Sequence, residues 1–498
     1  MSCNHKSSGV LATVLLTILI VLLIAATAFV IWLCIDMVNT PSQQIQHTQP
    51  QSTIDLPTEA PTQPPETTVP PTTEPPEPEH VVATATIASQ GDLLMHKPVF
   101  DTCRQSDGSY DFSSIFRYSK DLVSSYDYAL ANLETTFGGD NYTYQGNPAF
   151  NCPDGLMDAV VDTGYDMLLT ANNHAGDTMG DGITRTVEQI RAKGVTALGS
   201  QLDGDEPKYA IVDINGIKIG MVCYTWAYSG DGNTFSLNGL TPVKDVGQMN
   251  YFTNANPDKL YNEAEQIMAD MKANGAEVTM MFLHWGQEYQ ITENAAQQKM
   301  AQRLCDMGFD VIVGGHPHVV QPVALLESTV DPDHKTICIY SLGNAVSNQR
   351  TGVSDLFPPG YTEDGALFTV TFEKYSDGTV YVSAADVIPT WVNMNSNNGS
   401  REYNILPLVK DQEEQWTEQF GLTDGQFSSA QKSYDRTMGI VGDGLTACQS
   451  YLEQAKADRE SYYQDLAANP EKYASQQSQE PAEMVETLPV ETTLDAAA

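Results

Sequence analysis

Five short apolar runs, each ending at or followed closely by residues able to bind a metal ion, constrain this chain more than any other feature. VVATATIAS (81–89), DYALANL (127–133), DMLLTA (166–171), EVTMMFLHW (277–285) and FDVIVGG (309–315) are rich in β-branched and aromatic residues and too short for free-standing helices, so they read as strands. Between them DGLMDAVVDTG, DGITRTVEQIRAKG, PDKLYNEAEQIMADMKANG and NAAQQKMAQRLCDMG carry helical periodicity, with a Gly suited to a left-handed C-cap at the end. YAIVDING, IKIGMVCYTW, TICIYSLGN, GALFTVTFEK and TVYVSAADVI form a second set of strands, and NG at 215–216 and DG at 377–378 are hairpin turn signals. The pattern predicts an α/β fold with a mixed sheet or a two-sheet sandwich and helices outside, not a purely parallel doubly wound sheet.

In α/β folds the carboxyl ends of the strands gather on one edge, so the polar residues after the first set are expected to converge. They are Asp92, then Asn132 and Glu134, then Asn173 and His174, then His284, then His316 and His318. His316 and His318 stand two apart, and extended backbone would turn both imidazoles to one side. They read either as a ligand pair for Zn, Fe, Mn or Cu or as two solvated loop histidines. His284, closing VTMMFL, reads alone as a half-buried histidine; beside His316 and His318 it reads as a third ligand, with Gly286 allowing close backbone approach.

In TANNHAGDTMGDG, Asn173 offers an amide oxygen, His174 a proton, and Asp177 an acceptor to orient an imidazole. The same segment also reads as the start of a helix, with Asp181 as its N-cap. Asp92 and Glu134 are turn or cap residues, or else the carboxylates that balance and bridge a divalent pair. His96 is a near-site candidate.

Outside this region the chain is different in kind. Gly9 to Ile35 carries no charged side chain and exceeds the ~20 apolar residues that cross a bilayer core. It is too long for the apolar core of a secretory signal, although AATA at 25–28 offers a cleavage alternative. His5 and Lys6 before it and Asp36 after it predict a cytoplasmic segment 1–8, a membrane anchor 9–35 and an extracytoplasmic remainder. Residues 36–79 are Pro- and Thr-rich and read as an extended stalk; 410–468 read as a helical appendage, and 469–498 as a disordered tail.

The chain has 25 Lys+Arg against 64 Asp+Glu, a formal net charge of -39. That excludes nucleic acid as a partner and requires a local positive site for any polyanion. Eight cysteines without a CxxC pair exclude a zinc ribbon and a dense disulfide framework. Cys223, Cys305 and Cys338 read as buried thiols, and a pairing of Cys103 with Cys152 stays open.

GDLLMHKPV, ANLETTF, ANNHAGDTMGDG, LHWGQEY, GGHPHVVQP and YSLGNAVSNQ, in this order, resemble the blocks of the CapA family of poly-gamma-glutamate capsule biosynthesis proteins over about Val81 to Leu408 (domain 80–409). That family looks related to calcineurin-like metallophosphoesterases, which implies a four-layer α/β/β/α sandwich with a dinuclear site for divalent Mn, Fe or Zn. By this resemblance Asp92 and His318 serve one metal, Glu134 stands near the bridging position, and Asn173, His284 and His316 serve the other. His174, with Asp177, matches the histidine that protonates a leaving group, while Asn132 and Asn344 support the bound cofactor. Two departures are visible: Leu94 replaces the histidine of the usual Asp-x-His block, and the second block reads NLE instead of GDxxD. The implied role is biosynthesis or export of poly-gamma-glutamate or a related envelope polymer, beside polyglutamate synthase or export components. The alternative is a metal-dependent hydrolase acting on a surface phosphoester.

Overall fold

The strands β1 (Val81–Leu93), β2 (Tyr128–Asn132), β3 (Met167–Leu169) and β4 (Thr196–Leu198) run parallel as one half of a first sheet. In this computed structural model residues 80–239, 242–397 and 400–469 are described; the predicted anchor 9–35, stalk 36–79 and almost all of the predicted tail 469–498 lie outside them. No helix among the described residues is long and apolar enough to cross a membrane.

The remaining strands are β5 (Tyr209–Ile214), β6 (Ile217–Ala227), β7 (Ser229–Gly230), β8 (Thr234–Ser236), β9 (Val243–Lys244), β10 (Tyr251–Thr253), β11 (Val278–His284), β12 (Val311–Gly315), β13 (Val323–Glu327), β14 (Lys335–Ile339), β15 (Asn344–Val346), β16 (Asp364–Tyr375), β17 (Val380–Asn397) and β18 (Ser400–Pro407). The first sheet has the order β18-β17-β16-β1-β2-β3-β4, with β16 to β18 antiparallel and the short β15 laid parallel on the end of β1. The second has the order β10-β6-β11-β12-β14-β13, with β5 folded back on β6. Both predicted hairpins form: β5 and β6 meet at Asn215-Gly216, and β16 and β17 turn at Asp377-Gly378. A small antiparallel sheet, β7-β8-β9, is hydrogen-bonded to neither but packs Phe235 and Val243 into their shared core.

The two large sheets pack face to face. Ala85, Ile87, Leu130 and Phe368 from the first meet Met221, Met280, Phe282 and Val313 from the second in one buried cluster. Helices cover both outer faces, and each does so because its apolar residues recur on one side. Helix 258–273 buries Leu260, Ala264, Ile267, Met268 and Met271. Helix 295–306, started by an Asn294–Gln297 capping box, buries Met300, Ala301, Leu304 and Cys305. The central strand β11, sandwiched between these layers, is buried at every residue, which is why its sequence is a continuous apolar run. The fold is thus a mixed α/β sandwich.

The chain after Pro407 forms helices 413–420 and 424–468. The longer one sends Val441, Leu445, Cys448 and Leu452 into the core between the sheets, and Arg436 and Ser433 bind the carboxylate of Asp364 at 2.6–2.7 Å.

One local expectation is corrected and one open question is answered. Asp181 is not a helix cap: the helix 179–192 begins after Thr178, and Asp181 lies in its first turn, accepting from Tyr142 Oη at 2.8 Å. Cys103 and Cys152 are both buried and free; Cys223, Cys305 and Cys338 are the buried thiols expected.

Candidate metal centre

The carboxyl edges of β1, β2 and β3 in the first sheet lie against those of β11 and β12 in the second, and every residue singled out from the sequence sits at or beside this seam. Close backbone approach makes room for it. A Cβ on Gly91 would stand 2.0 Å from Gly343 O, and one on Gly314 would stand 2.0 Å from Tyr340 O. The bare Gly91 lets β15 dock on β1 so that Asp92 and Asn344 become register partners.

Two clusters of ligand atoms form there, Glu134–His284–His316 and Asp92–Glu134–His318, each with its atoms within 4.8 Å of one another and every residue buried. In the first, His284 Nε2 lies 2.8 Å from Asn173 Oδ1, 3.2 Å from His316 Nδ1 and 3.4 Å from Glu134 Oε1. In the second, His318 Nδ1 lies 3.1 Å from both Asp92 Oδ2 and Asn344 Oδ1, and its Nε2 is 3.8 Å from Glu134 Oε1. Glu134 is the member both clusters share.

The Glu134 carboxylate tests whether divalent cations suit this site. Both its oxygens are buried without a hydrogen-bond partner among the described residues. Burial first, and the negative charge of Asp92 second, push its carboxyl well above the ordinary carboxylate range. An unpaired buried carboxylate costs several kcal/mol, so it must hold a proton or face a cation. The neighbouring imidazoles suit the second option. Burial, followed by the other imidazoles, drives His284 and His316 well below the usual histidine value, leaving them in the neutral form that binds metals. The donor set fits divalent ions.

The histidine loop reaches the site by a route other than the extended register expected from its spacing. His316 has φ 96° and His318 φ 57°, both left-handed, around Pro317. Side chains of non-glycine residues disfavour this backbone, at ~1–3 kcal/mol per residue, and such strain persists where surrounding structure enforces it. Here the rings still face the same seam, 6.1 Å apart.

Asn132 and Asn344 support both clusters. Asn132 Nδ2 donates to Asp92 Oδ1 at 2.8 Å, while its oxygen accepts from Asn172 Nδ2 at 3.1 Å. Beside the clusters, His174 Nδ1 meets Asp177 Oδ2 at 2.7 Å, and its ring packs edge-on against Phe150 at 4.5 Å. Asp177 is further held by Phe150 N–H and by Asn238 Nδ2 at 2.6 Å. His96 stands behind Phe150 at 5.1 Å, and burial, then His318, lower it to about 3, so it is neutral.

Asn172, which follows the third strand beside Asn173 and His174, is no ligand: it ties Asn132 to Leu133 O and accepts from the His174 N–H. Two contributors were missed from the sequence. Tyr289, in left-handed backbone within HWGQEY, lays its ring 6.2 Å from that of His318. Asn238 arrives from the loop after β8 with no motif around it.

Comparison with known proteins gives this arrangement a family. The capsule biosynthesis protein CapA of Bacillus anthracis is 25% identical over 309 residues, covering 61% of this chain and 66% of that protein, so the match spans just under two thirds of the relative's length. The PGA biosynthesis protein CapA of Bacillus subtilis is 26% identical over 305 residues, covering 60% and 70%. A probable polyglutamine synthesis accessory protein of Mycobacterium tuberculosis is 23% identical over 212 residues, covering 40% and 52%. The model of the bacterial capsule synthesis protein family PGA_cap matches residues 86–349, more than half of the chain and all of the seam, and the chain belongs to that family.

Proposed function

We propose that this chain is a membrane-anchored, extracytoplasmic protein of poly-gamma-glutamate or related capsule-polymer biosynthesis or export, working through a centre of two divalent cations, Mn, Fe or Zn. The observation that supports it is the Glu134 carboxylate, buried, without a hydrogen bond among the described residues and common to both ligand clusters. Asp92 and His318 would hold one cation, and His284, His316 and Asn173 the other. Such a centre would be the local positive site that an acidic chain needs in order to hold an anionic polymer. The uncharged run 9–35 and the Pro-rich spacer behind it support placement outside the membrane, beside synthase or export components.

When bound, a divalent pair supplies Lewis acidity and a water acidic enough to act as a nucleophile near neutral pH. The protein's own part is positional. Asp177 holds His174 Nδ1 and thereby leaves Nε2 as the nitrogen that holds or moves a proton, while Asn238 and the Phe150 N–H hold Asp177. This oriented pair favours a second reading, a metal-dependent hydrolase of a surface phosphoester.

Elemental analysis of the full-length chain purified in detergent, beside a variant with both His316 and His318 changed to Ala, tests the centre. Bound transition metal in the parent and loss in the variant are expected; a folded parent that takes up no metal after reconstitution would sink the proposal. Metal-dependent cleavage of a model phosphodiester, lost with His174→Ala while metal is kept, decides for the hydrolase.

A further inference from the structure

The two clusters offer different elements, and the difference deepens the two-cation reading on which this inference rests. Around His284 and His316 stand two imidazoles, the Glu134 carboxylate and the Asn173 amide oxygen. Around His318 stand one imidazole and the carboxylates of Asp92 and Glu134, together with a third oxygen, Asn344 Oδ1.

The direction of that amide is settled by its surroundings. Asn344 Nδ2 faces the backbone carbonyls His318 O at 3.2 Å and Thr362 O at 3.0 Å, with Gln349 Oε1 also at 3.0 Å; the two carbonyls can only accept, so the NH2 end with its two hydrogens must face them. The oxygen end therefore points at His318 Nδ1, which lies 3.1 Å from it and 3.1 Å from Asp92 Oδ2. A ring nitrogen carries at most one hydrogen, too few for two well-formed bonds, whereas a cation among the three atoms satisfies all of them. The pairing of β1 with β15, in which Asp92 and Asn344 are partners, places both oxygens side by side.

We propose that Asn344 is a ligand of the cation held by Asp92, Glu134 and His318, and that the two positions take different metals. Three oxygens and one nitrogen suit a hard ion such as Mn2+; the two imidazoles of the other position suit a borderline ion such as Zn2+. Zinc outranks manganese in raw affinity at almost any such site, so the preference shows only when zinc is limiting.

The test uses the full-length chain in detergent, stripped by a chelator, then loaded with one equivalent of Zn2+ and an excess of Mn2+ and freed of unbound metal. The parent is expected to keep both metals in equal amounts. Asn344→Ala should keep zinc, which also reports that it has folded, and bind manganese more than ~100-fold more weakly, beyond the ~10–100-fold that loss of a supporting residue costs. X-ray absorption at the two metal edges of the parent needs no variant: more imidazole is expected at zinc than at manganese, and the Mn shell should be mainly oxygen. Equal imidazole at both edges, or parental manganese in Asn344→Ala, overturns the inference while the two-cation centre stands; zinc alone in the parent overturns both. A parent that binds neither metal overturns both.

Discussion

The first sheet brings oxygens to the seam and the second brings imidazoles. Asp92, Asn132, Glu134 and Asn173 follow β1, β2 and β3; His284, His316 and His318 follow β11 and β12. The two edges also carry different costs. On the first it is electrostatic, a buried carboxylate with no hydrogen bond among the described residues. On the second it is conformational, two histidines in left-handed backbone. Neither edge holds a complete donor set alone, so the centre is a property of the packed sandwich and not of either sheet.

Glu134→Gln breaks the comparison most severely, because Glu134 belongs to both clusters. It is expected to abolish binding of both metals, where His284→Ala or His318→Ala removes mainly one, as elemental analysis would read. In the metal-free chain the same change should raise the melting temperature, since a neutral amide replaces a group that burial penalises when charged. A lower melting temperature in chelator would show that the carboxylate has a partner after all.

Asp177→Asn probes the oxygen that serves chemistry instead of metal. If the site turns over a phosphodiester, loss of the acceptor for His174 Nδ1 should cost ~10²–10⁴ in rate, the usual range for general acid–base groups, with metal content unchanged. Unchanged turnover would remove His174 from the proton-transfer role. Asn132→Ala asks less: it removes the donor that holds Asp92 at 2.8 Å and lies 3.4 Å from His284 Nδ1, so the first cation should bind ~10–100-fold more weakly and the second should weaken less, which metal titration would resolve.

The smallest effect is in pH dependence. The carboxyl of Glu134 is raised in the native metal-free chain, which therefore keeps a proton that the unfolded chain has lost above ordinary carboxylate values. Its stabilising contribution is full below the unfolded value and falls as pH rises toward the native one, by at most ~1.4 kcal/mol per pH unit. His284 and His316 act with the opposite sign: neutral in the fold, they lose stability as pH falls below the usual histidine value. The histidines, buried thiols and tyrosines are common to the parent and Glu134→Gln, so the difference between their profiles isolates Glu134. Thermal unfolding in chelator should show the parent losing stability relative to Glu134→Gln as pH rises above the ordinary carboxylate range, and bound metal should remove the difference. Identical profiles with and without metal would assign the proton elsewhere.

Much of this was legible in the chain. The five strands of the first set, both hairpins and the outer helices follow from local periodicity and turn chemistry, and the ligand candidates stand at strand ends where topology gathers them. Asp181 was misjudged because a carboxylate in a helix's first turn resembles a cap in sequence, while Tyr142, distant along the chain, takes its oxygen. Asn238 was invisible because nothing local marks a residue brought to Asp177 by a separate small sheet. The extended reading of His316 and His318 failed because packing, not spacing, dictates the backbone around Pro317.

The sequence by itself determined the elements, the donor types and the family, since propensity, periodicity and side-chain chemistry are carried within a few residues. Tertiary structure alone decided which strands share a sheet, that Glu134 lies between two histidine clusters without a hydrogen bond, and which way the Asn344 amide faces. Those facts depend on contacts between segments tens to hundreds of residues apart, and no local rule encodes a distance across a seam between two sheets.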